Sequence, residues 1–233
     1  ARPPLHIAIL SASRHYTKRK ACRDTWLRNL PAGVTASFMI LPAADPAVAE
    51  RLYKESVAHG DIHFVRGNEG YYQITHSTIS AVVSLRQRAR YIMKCDDDTY
   101  VRVEMILERL RQGTPQYWLW ATVSRGAKPD RSGKWGLTLE EYPGKTYPPF
   151  PHGPGYVLSA DLAHWLAAHQ PKAHIKLEDV NMGVWVNSAV KAGVPVEIED
   201  GSFPIGCSEK YLISHYASPA QMHCFARREK HCC

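Results

Sequence analysis

The sequence predicts an α/β fold, a mostly parallel central sheet flanked by helices, in a single domain covering residues 1–233. Three observations carry the expectation. Short β-rich apolar runs alternate with stretches of helical periodicity, and the best-marked helix is bounded by start and stop residues. The chain has 233 residues with 45% apolar and 22% charged content, which suits one sizeable core of ordinary composition.

In chain order, "LHIAIL" (5–10), "ASFMIL" (36–41), "DIHFV" (61–65) and "YIMKC" (91–95) read as strands. Helices are expected between them at 18–28, 45–58 and 72–88. The second has Asp45 as N-cap, Pro46 at the first helical position, and His59-Gly60 as its stop. "RVEMILERLRQ" (102–112) reads as a further helix and "YWLWATV" (117–123) as an aromatic strand. Residues 124–153 are rich in Gly and Pro and read as a long irregular segment; its tryptophan and tyrosines argue for a folded binding loop. "YVLS" resumes a strand, and Ser159 caps a helix that ends before Pro171. From Val180 to Val190 the apolar positions fit a helix loosely, with Glu178 and Asp179 at its start.

The net charge is +7, from 29 basic and 22 acidic residues, which suggests anionic partners: nucleic acid, acidic lipid or a phosphate-bearing small molecule. The basic residues are scattered, with "RHYTKRKACR" (14–23) and "RREK" (227–230) the only dense clusters. No stretch approaches the roughly 20 apolar residues that span a bilayer, and no signal-peptide pattern stands at the start. The chain opens on "ARPPLHIAIL", nearly in a strand, as a piece of something longer would. None of the six cysteines forms a CxxC pair, which argues against a zinc ribbon or a thioredoxin-type site. Four of them (Cys207, Cys224, Cys232, Cys233) crowd the final segment, where disulfides would stabilise most, so an oxidising secretory compartment is expected; the alternative is buried free thiols in a cytosolic protein.

"KCDDDTYV" (94–101) places Asp96, Asp97 and Asp98 at the end of an apolar strand, where ligands bind in open α/β sheets. Adjacent carboxylates need a compensating cation, and hard oxygen donors select Mg²⁺ or Mn²⁺, which would neutralise a substrate diphosphate. Asp-rich turns also cap helices or face solvent. In "KLEDVNMGVWVNSAV" (176–190) the early carboxylates serve either as helix-dipole caps or as a rigid general base. "YPPFPHGPGYVLS" (147–159) brackets Pro154 with Gly153 and Gly155, permitting either close backbone approach to a ligand or a simple turn. His215, in "SHYASPAQMHC", is a candidate metal ligand or a packed histidine.

Taken in order, these segments resemble the inverting beta-1,3-galactosyltransferases, carbohydrate-active family 31, over nearly the whole chain. "RKACRDTW", "GDIHFV", "KCDDDTYV", "YPPFPHGPGYVLS" and "EDVNMG" are similar to five motifs of that family at compatible spacing. The C-terminal "CSEKYLISHYASPAQMHC" resembles plant and green-algal members, among which are enzymes that galactosylate hydroxyproline-rich arabinogalactan proteins. Two segments depart from the pattern: "ASFMILPA", and "RGNEGYYQITHSTISAVV", where Tyr72 and Thr75 keep part of the family's sequence but its lysine is absent.

The resemblance implies a GT-A glycosyltransferase fold with a nucleotide-sugar-binding half (1–123) and an acceptor-binding and catalytic-base half (124–233). It implies Mn²⁺, with Mg²⁺ as the other admissible ion, on Asp98 and His215, and a UDP-sugar donor as co-substrate. Ser11, Ser13, Arg19, Arg23, Lys94, Asp96 and Asp97 are then candidates for the donor site, with Arg14 a weaker choice, and Asp179 is the catalytic base. Trp135, Tyr142, Gly153, Gly155 and Glu178 are candidates for substrate contact. The expected reaction is β1,3 transfer of galactose from UDP-galactose to a glycan or glycoprotein acceptor. The expected location is the Golgi lumen, as the catalytic domain of a type II membrane protein whose anchor lies outside this chain. Alternatives are transfer of N-acetylgalactosamine or N-acetylglucosamine, a catalytically silent glycan-binding module, and, more remotely, a nucleic-acid binder. A disulfide between Cys207 and Cys224 is expected to fix the segment that carries His215.

Overall fold

The computed structural model describes residues 4–65, 85, 89–169, 175–203 and 206–233. The helix expected at 72–88, with Tyr72 and Thr75, lies outside them apart from Leu85. Strands β1 (Leu5–Leu10), β2 (Val34–Ile40), β3 (Ile62–Phe64) and β4 (Tyr91–Asp96) follow one another in the first half, and β5 (Thr99–Val101) comes directly after the acidic triplet. β6 (Trp118–Ser124), β7 (Phe150–Ser159), β8 (Glu197–Asp200) and β9 (Ile213–His215) complete the described strands. The main sheet has the order β3-β2-β1-β4-β7-β6-β8, and β5 and β9 pair separately. β3-β2, β2-β1, β1-β4 and β6-β8 are parallel, whereas β7 runs antiparallel to both β4 and β6. This is the α/β architecture the sequence predicts.

Successive side chains of a strand point to opposite faces, and both faces are buried here. Leu5, Ile7, Ile9, Met93 and Cys95 join one core cluster, while Ala8 and Ile92 join the other. Helices α1 (Tyr16–Asp24), α3 (Val103–Arg111) and α6 (Pro219–Ala226) cover the first face; α4 (Ala160–Ala168) and α5 (Glu178–Lys191) cover the second. The remaining described helix, α2 (Pro46–His59), begins where Asp45 accepts hydrogen bonds from the Ala47 and Val48 amides and ends at Gly60 in the left-handed region, φ 67°.

Two boundaries depart most from expectation. α1 stops at Asp24 instead of running to 28, and the Thr25 hydroxyl donates to the Ala21 carbonyl (2.6 Å) as the helix closes. β7 begins at Phe150, inside the stretch expected to be irregular. Its prolines are tolerated because the β6-β7 ladder is broken by a bulge between Ala121 and Val123, where Pro151 pairs with Val123. The carbonyls of Gly153 and Pro154 are satisfied by the Lys94 ammonium and the Thr99 hydroxyl instead of a strand partner.

The expected Cys207–Cys224 bridge is not formed. The disulfides are Cys207–Cys233 and Cys224–Cys232. The chain end doubles back beside α6, where Gln221 Nε2 donates to the Cys232 carbonyl (3.2 Å), so Cys232 meets Cys224 and its neighbour reaches Cys207. Cys22 and Cys95 remain free and buried, and burial pushes the Cys22 thiol up to about 12.

Candidate active site

β1 and β4 are adjacent and parallel, so the loops that follow them emerge side by side; the Asp97 amide donates to the Leu10 carbonyl (3.0 Å). Because β7 is antiparallel to β4, with Gly155 opposite Cys95, the earlier residue Gly153 arrives at the same edge. The β5-β9 pair sets His215 opposite Thr99, just beyond the triplet. These elements surround a cavity of about 780 Å³ whose wall includes Ser11, Ser13, all three aspartates, Gly153, Asp179 and His215. A second cavity of about 570 Å³ shares Asp96, Trp135, Gly153 and Asp179 with the first and adds Lys128, Tyr147, Lys176 and Glu178. Asp179 therefore stands where the two meet.

The three aspartates are paired differently, with Lys18 shared between two of them. Asp97 is buried and pairs with His15 Nδ1 (2.8 Å) and Lys18 Nζ (3.3 Å). Asp98 pairs with Lys18 Nζ (2.9 Å) and His215 Nε2 (3.3 Å). Asp96 pairs with the buried Lys94 ammonium (2.9 Å). Burial opposes ionisation of Asp98, but His215 and Lys18 outweigh it and hold the carboxyl well below the usual carboxylate range. Burial prevails at Asp96 and raises its value despite Lys94. Asp179 is likewise raised by burial, against the Val180 amide (2.8 Å) and the charge of Lys94.

Asp96, Asp98 and His215 each offer a ligand atom, all within 4.8 Å of one another. His215 Nδ1 is buried and has no hydrogen-bond partner among the described residues. Two carboxylates with one imidazole fit a divalent ion such as Mn²⁺ better than a soft thiophilic metal.

Several expected contacts lie elsewhere. Arg19 is 1% exposed, and its guanidinium is engaged by Glu55, Ser11 Oγ and the carbonyls of Ala12 and Ser13. It braces the loop after β1 from behind instead of facing the cavity. Arg23 is bound to Asp61 (2.7 and 2.8 Å) and Glu55 (2.7 Å), and exposed Arg14 pairs with Asp45 (3.0 Å). Tyr142 packs on Tyr147 and donates to the Thr146 carbonyl, lining neither cavity. Gly155 is enclosed in the sheet, where an added Cβ would touch Ile213, Met93 and the Lys94 carbonyl. Trp135, 46% exposed, lines both cavities.

The sequence model of the galactosyltransferase family matches residues 17–197. The chain belongs to the galactosyltransferase family. The chain is 35% identical to hydroxyproline O-galactosyltransferase GALT2 of Arabidopsis thaliana over 94% of its own length and 34% of the relative's. With beta-1,3-galactosyltransferase GALT1 of the same plant it shares 31% over 96% of this chain and 37% of the relative. With beta-1,3-galactosyltransferase 6 of Mus musculus it shares 30% over 94% of this chain and 71% of the relative. The chain thus spans about a third of the length of these plant relatives. A solved mannosyltransferase from Pyrobaculum calidifontis in complex with GDP-Man and Mn²⁺ overlaps 86% of this chain and 55% of its own at TM-score 0.49 and 10% identity, a likeness too slight to argue from.

Sequence reasoning missed His15 and Lys18, although both lie in the basic cluster "RHYTKRKACR" that the charge pattern had marked. It also missed the apolar wall of Met39, Leu41 and Val65, and His152, whose Nε2 is 2.9 Å from Ser124 Oγ. Nothing local distinguishes these apolar residues from ordinary strand-end side chains. No described helix is long and apolar enough to cross a membrane.

Proposed function

We propose that this galactosyltransferase, on a GT-A fold, transfers galactose from UDP-galactose to a hydroxyl of a glycan or glycoprotein acceptor in β1,3 linkage, with inversion and in the presence of Mn²⁺. The observation that carries the reading is the placement of Asp179 between two cavities, with the Asp96, Asp98 and His215 cluster on the wall of the larger. Residues 1–123 supply most of the donor side; residues 124–233 supply the base, the acceptor side and His215.

In this reading the larger cavity takes the donor. Met39, Leu41 and Val65 offer an apolar wall for the uracil, and Ser11 and Ser13 face the nucleotide from a loop that Arg19 holds rigid. Asp96, Asp98 and His215 would hold Mn²⁺. Bound there, the ion would supply positive charge to the departing diphosphate. Lys18, already beside Asp97 and Asp98, would add a mobile cation at the same end.

Asp179 accepts the proton of the acceptor hydroxyl as that oxygen attacks the anomeric carbon from the face opposite UDP. Its raised proton affinity suits the task, because a carboxylate closer to the hydroxyl in basicity takes the proton more readily. Gly153 helps by leaving the base uncovered: a Cβ there would lie 3.7 Å from Asp179 Oδ2, within the space a substrate needs. Trp135 offers a ring face to a sugar from the shared wall. The relatives' names include hydroxyproline O-galactosyltransferases, so a hydroxyproline-bearing peptide is the alternative acceptor, on which the product would be a β-linkage to the hydroxyproline oxygen instead of a 1,3 bond to a sugar. A luminal Golgi setting fits the two disulfides.

The test is a screen of UDP-sugars against small galactosides and hydroxyproline peptides with Mn²⁺, read as released UDP and as product mass. UDP-galactose with an acceptor should give product, and Asp98→Ala should lose Mn²⁺-dependent UDP binding by calorimetry. Preference for UDP-N-acetylglucosamine or UDP-N-acetylgalactosamine would overturn the donor assignment, and UDP affinity equal with and without Mn²⁺ would remove the metal.

A further inference from the structure

Lys94 sits on β4, two residues before Asp96, and is 2% exposed. A buried ammonium is tolerated only when its donors are matched, and here all three have partners. They are Asp96 Oδ1 (2.9 Å), Glu178 Oε2 (3.0 Å) and the Gly153 carbonyl. The other oxygen of Glu178 accepts from the Tyr156 hydroxyl (2.6 Å), and Tyr156 is the residue opposite Lys94 in the β4-β7 ladder. One side chain thus reaches three elements: the strand end bearing the cluster carboxylate, the first residue of α5 immediately before Asp179, and the segment of β7 that abuts Asp179.

The geometry points to Lys94 as a positioning residue that ties the Asp96 side of the site to the helix bearing Asp179, so that donor and base are held in one register. It rests on the functional reading above and adds to it a positioning role for Lys94, which the sequence placed among the donor-site candidates and which lines the second cavity beside Asp96 and Glu178. Asp96 and Glu178 are both carboxylates in a confined space, and without the ammonium between them they would repel and draw α5 away from β4. A shift of about 1 Å at a reacting group is enough to reduce turnover about 100-fold. The tie therefore acts on turnover more than on donor affinity, because Asp98, His215 and the loop after β1 remain in place when it is cut and Asp96, though it loses its ammonium partner, stays on β4 beside them.

The experiment compares the whole chain with Lys94→Met, Glu178→Gln and the double variant in three readouts: kcat and KM for UDP-galactose, Mn²⁺-dependent UDP affinity, and melting temperature. Lys94→Met should lower kcat by about 100-fold while UDP affinity changes by less than about tenfold. Glu178→Gln keeps the shape of the side chain and removes one charge, so it remains informative if Lys94→Met folds poorly; it should lower kcat with UDP affinity unchanged. The double variant should recover part of the kcat lost in Lys94→Met, since the carboxylate left unpaired is then gone. Losses that simply multiply in the double variant, or a Lys94→Met defect confined to UDP affinity, would overturn the proposal. Absence of turnover and of Mn²⁺-dependent UDP binding in the unmodified chain would instead reject the functional reading. The tie would then be judged by melting alone, where the two substitutions must be non-additive and additive shifts would refute it.

Discussion

Gly183 of α5 and Phe150 at the start of β7 approach so closely that no side chain fits between them: a Cβ on Gly183 would collide with Phe150 Cβ and lie 2.7 Å from the Pro149 carbonyl oxygen. Gly183 lies one turn after Asp179 on the same face of α5, so the contact seats the helix with Asp179 beside Gly153. A single glycine in the "EDVNMG" segment thereby sets how near the helix can come to the strand.

Gly183→Ala should accordingly force α5 and β7 apart. Overpacking of this kind costs about 1–3 kcal/mol, more than the gain in helix propensity from replacing glycine, about 1 kcal/mol. Chemical denaturation should show a net loss of stability, and turnover should fall because Asp179 moves with the helix. A variant that is more stable and fully active would show that the gap is not needed.

Arg19 and Glu55 make a buried pair across α1 and α2, and Arg23 joins it through Glu55 Oε1 (2.7 Å). Glu55→Gln leaves two guanidinium groups short of one charge and should cost about 3 kcal/mol, as broken buried pairs do. Burial works against the ionised form of Glu55, but hydrogen bonds and charge from Arg19 and Arg23 prevail and lower its value. The sign follows: its contribution is complete above the ordinary glutamate value, about 4.3, and is lost as pH falls through the lower folded value. Urea titrations between neutral and acidic pH should therefore show the difference between wild type and Glu55→Gln narrowing as the pH falls. A difference that stays constant would contradict the pairing.

Asp179 shifts the other way. Its folded value lies above the ordinary aspartate value of about 3.9, so the ionised base accumulates only as pH rises past that point, and kcat should climb along an acid limb displaced upward. Asp179→Asn should remove that limb and lower transfer by about 10²–10⁴-fold while leaving UDP affinity intact. Because burial disfavours the charge, the same substitution should hold or raise the melting temperature at neutral pH. Wild-type turnover in Asp179→Asn would mean that another group takes the proton.

The elements and their order were legible because they rest on local chemistry: Asp45 and Pro46 open α2 in the sequence as they do in space, and the apolar runs of β1 and β4 mark a sheet buried on both faces. The acidic triplet and Asp179 were legible because carboxylates at a strand end and a helix start stand out against their surroundings. Arginines were misjudged because sequence records a charge but not its partner; Glu55, which engages both Arg19 and Arg23, lies on another helix. The disulfides were misjudged for a related reason. Cys207 and Cys224 bracket His215 in sequence, but the chain end folds back on α6 and reaches both of them. Lys94 was visible as a charge beside the triplet, whereas its contact with Glu178 depends on the antiparallel insertion of β7, which no local pattern reveals.

In the proposed reaction Asp179 and the Asp96, Asp98 and His215 cluster act on opposite sides of one anomeric carbon. The most direct measurement is proton NMR of the first product formed from UDP-galactose, which is α-linked, and a small galactoside acceptor with Mn²⁺ present. A β-anomeric galactosyl signal on the acceptor's 3-position, absent when the ion is chelated, is expected. An α-linked product, or β-product formed equally well under chelation, would contradict the proposed reaction.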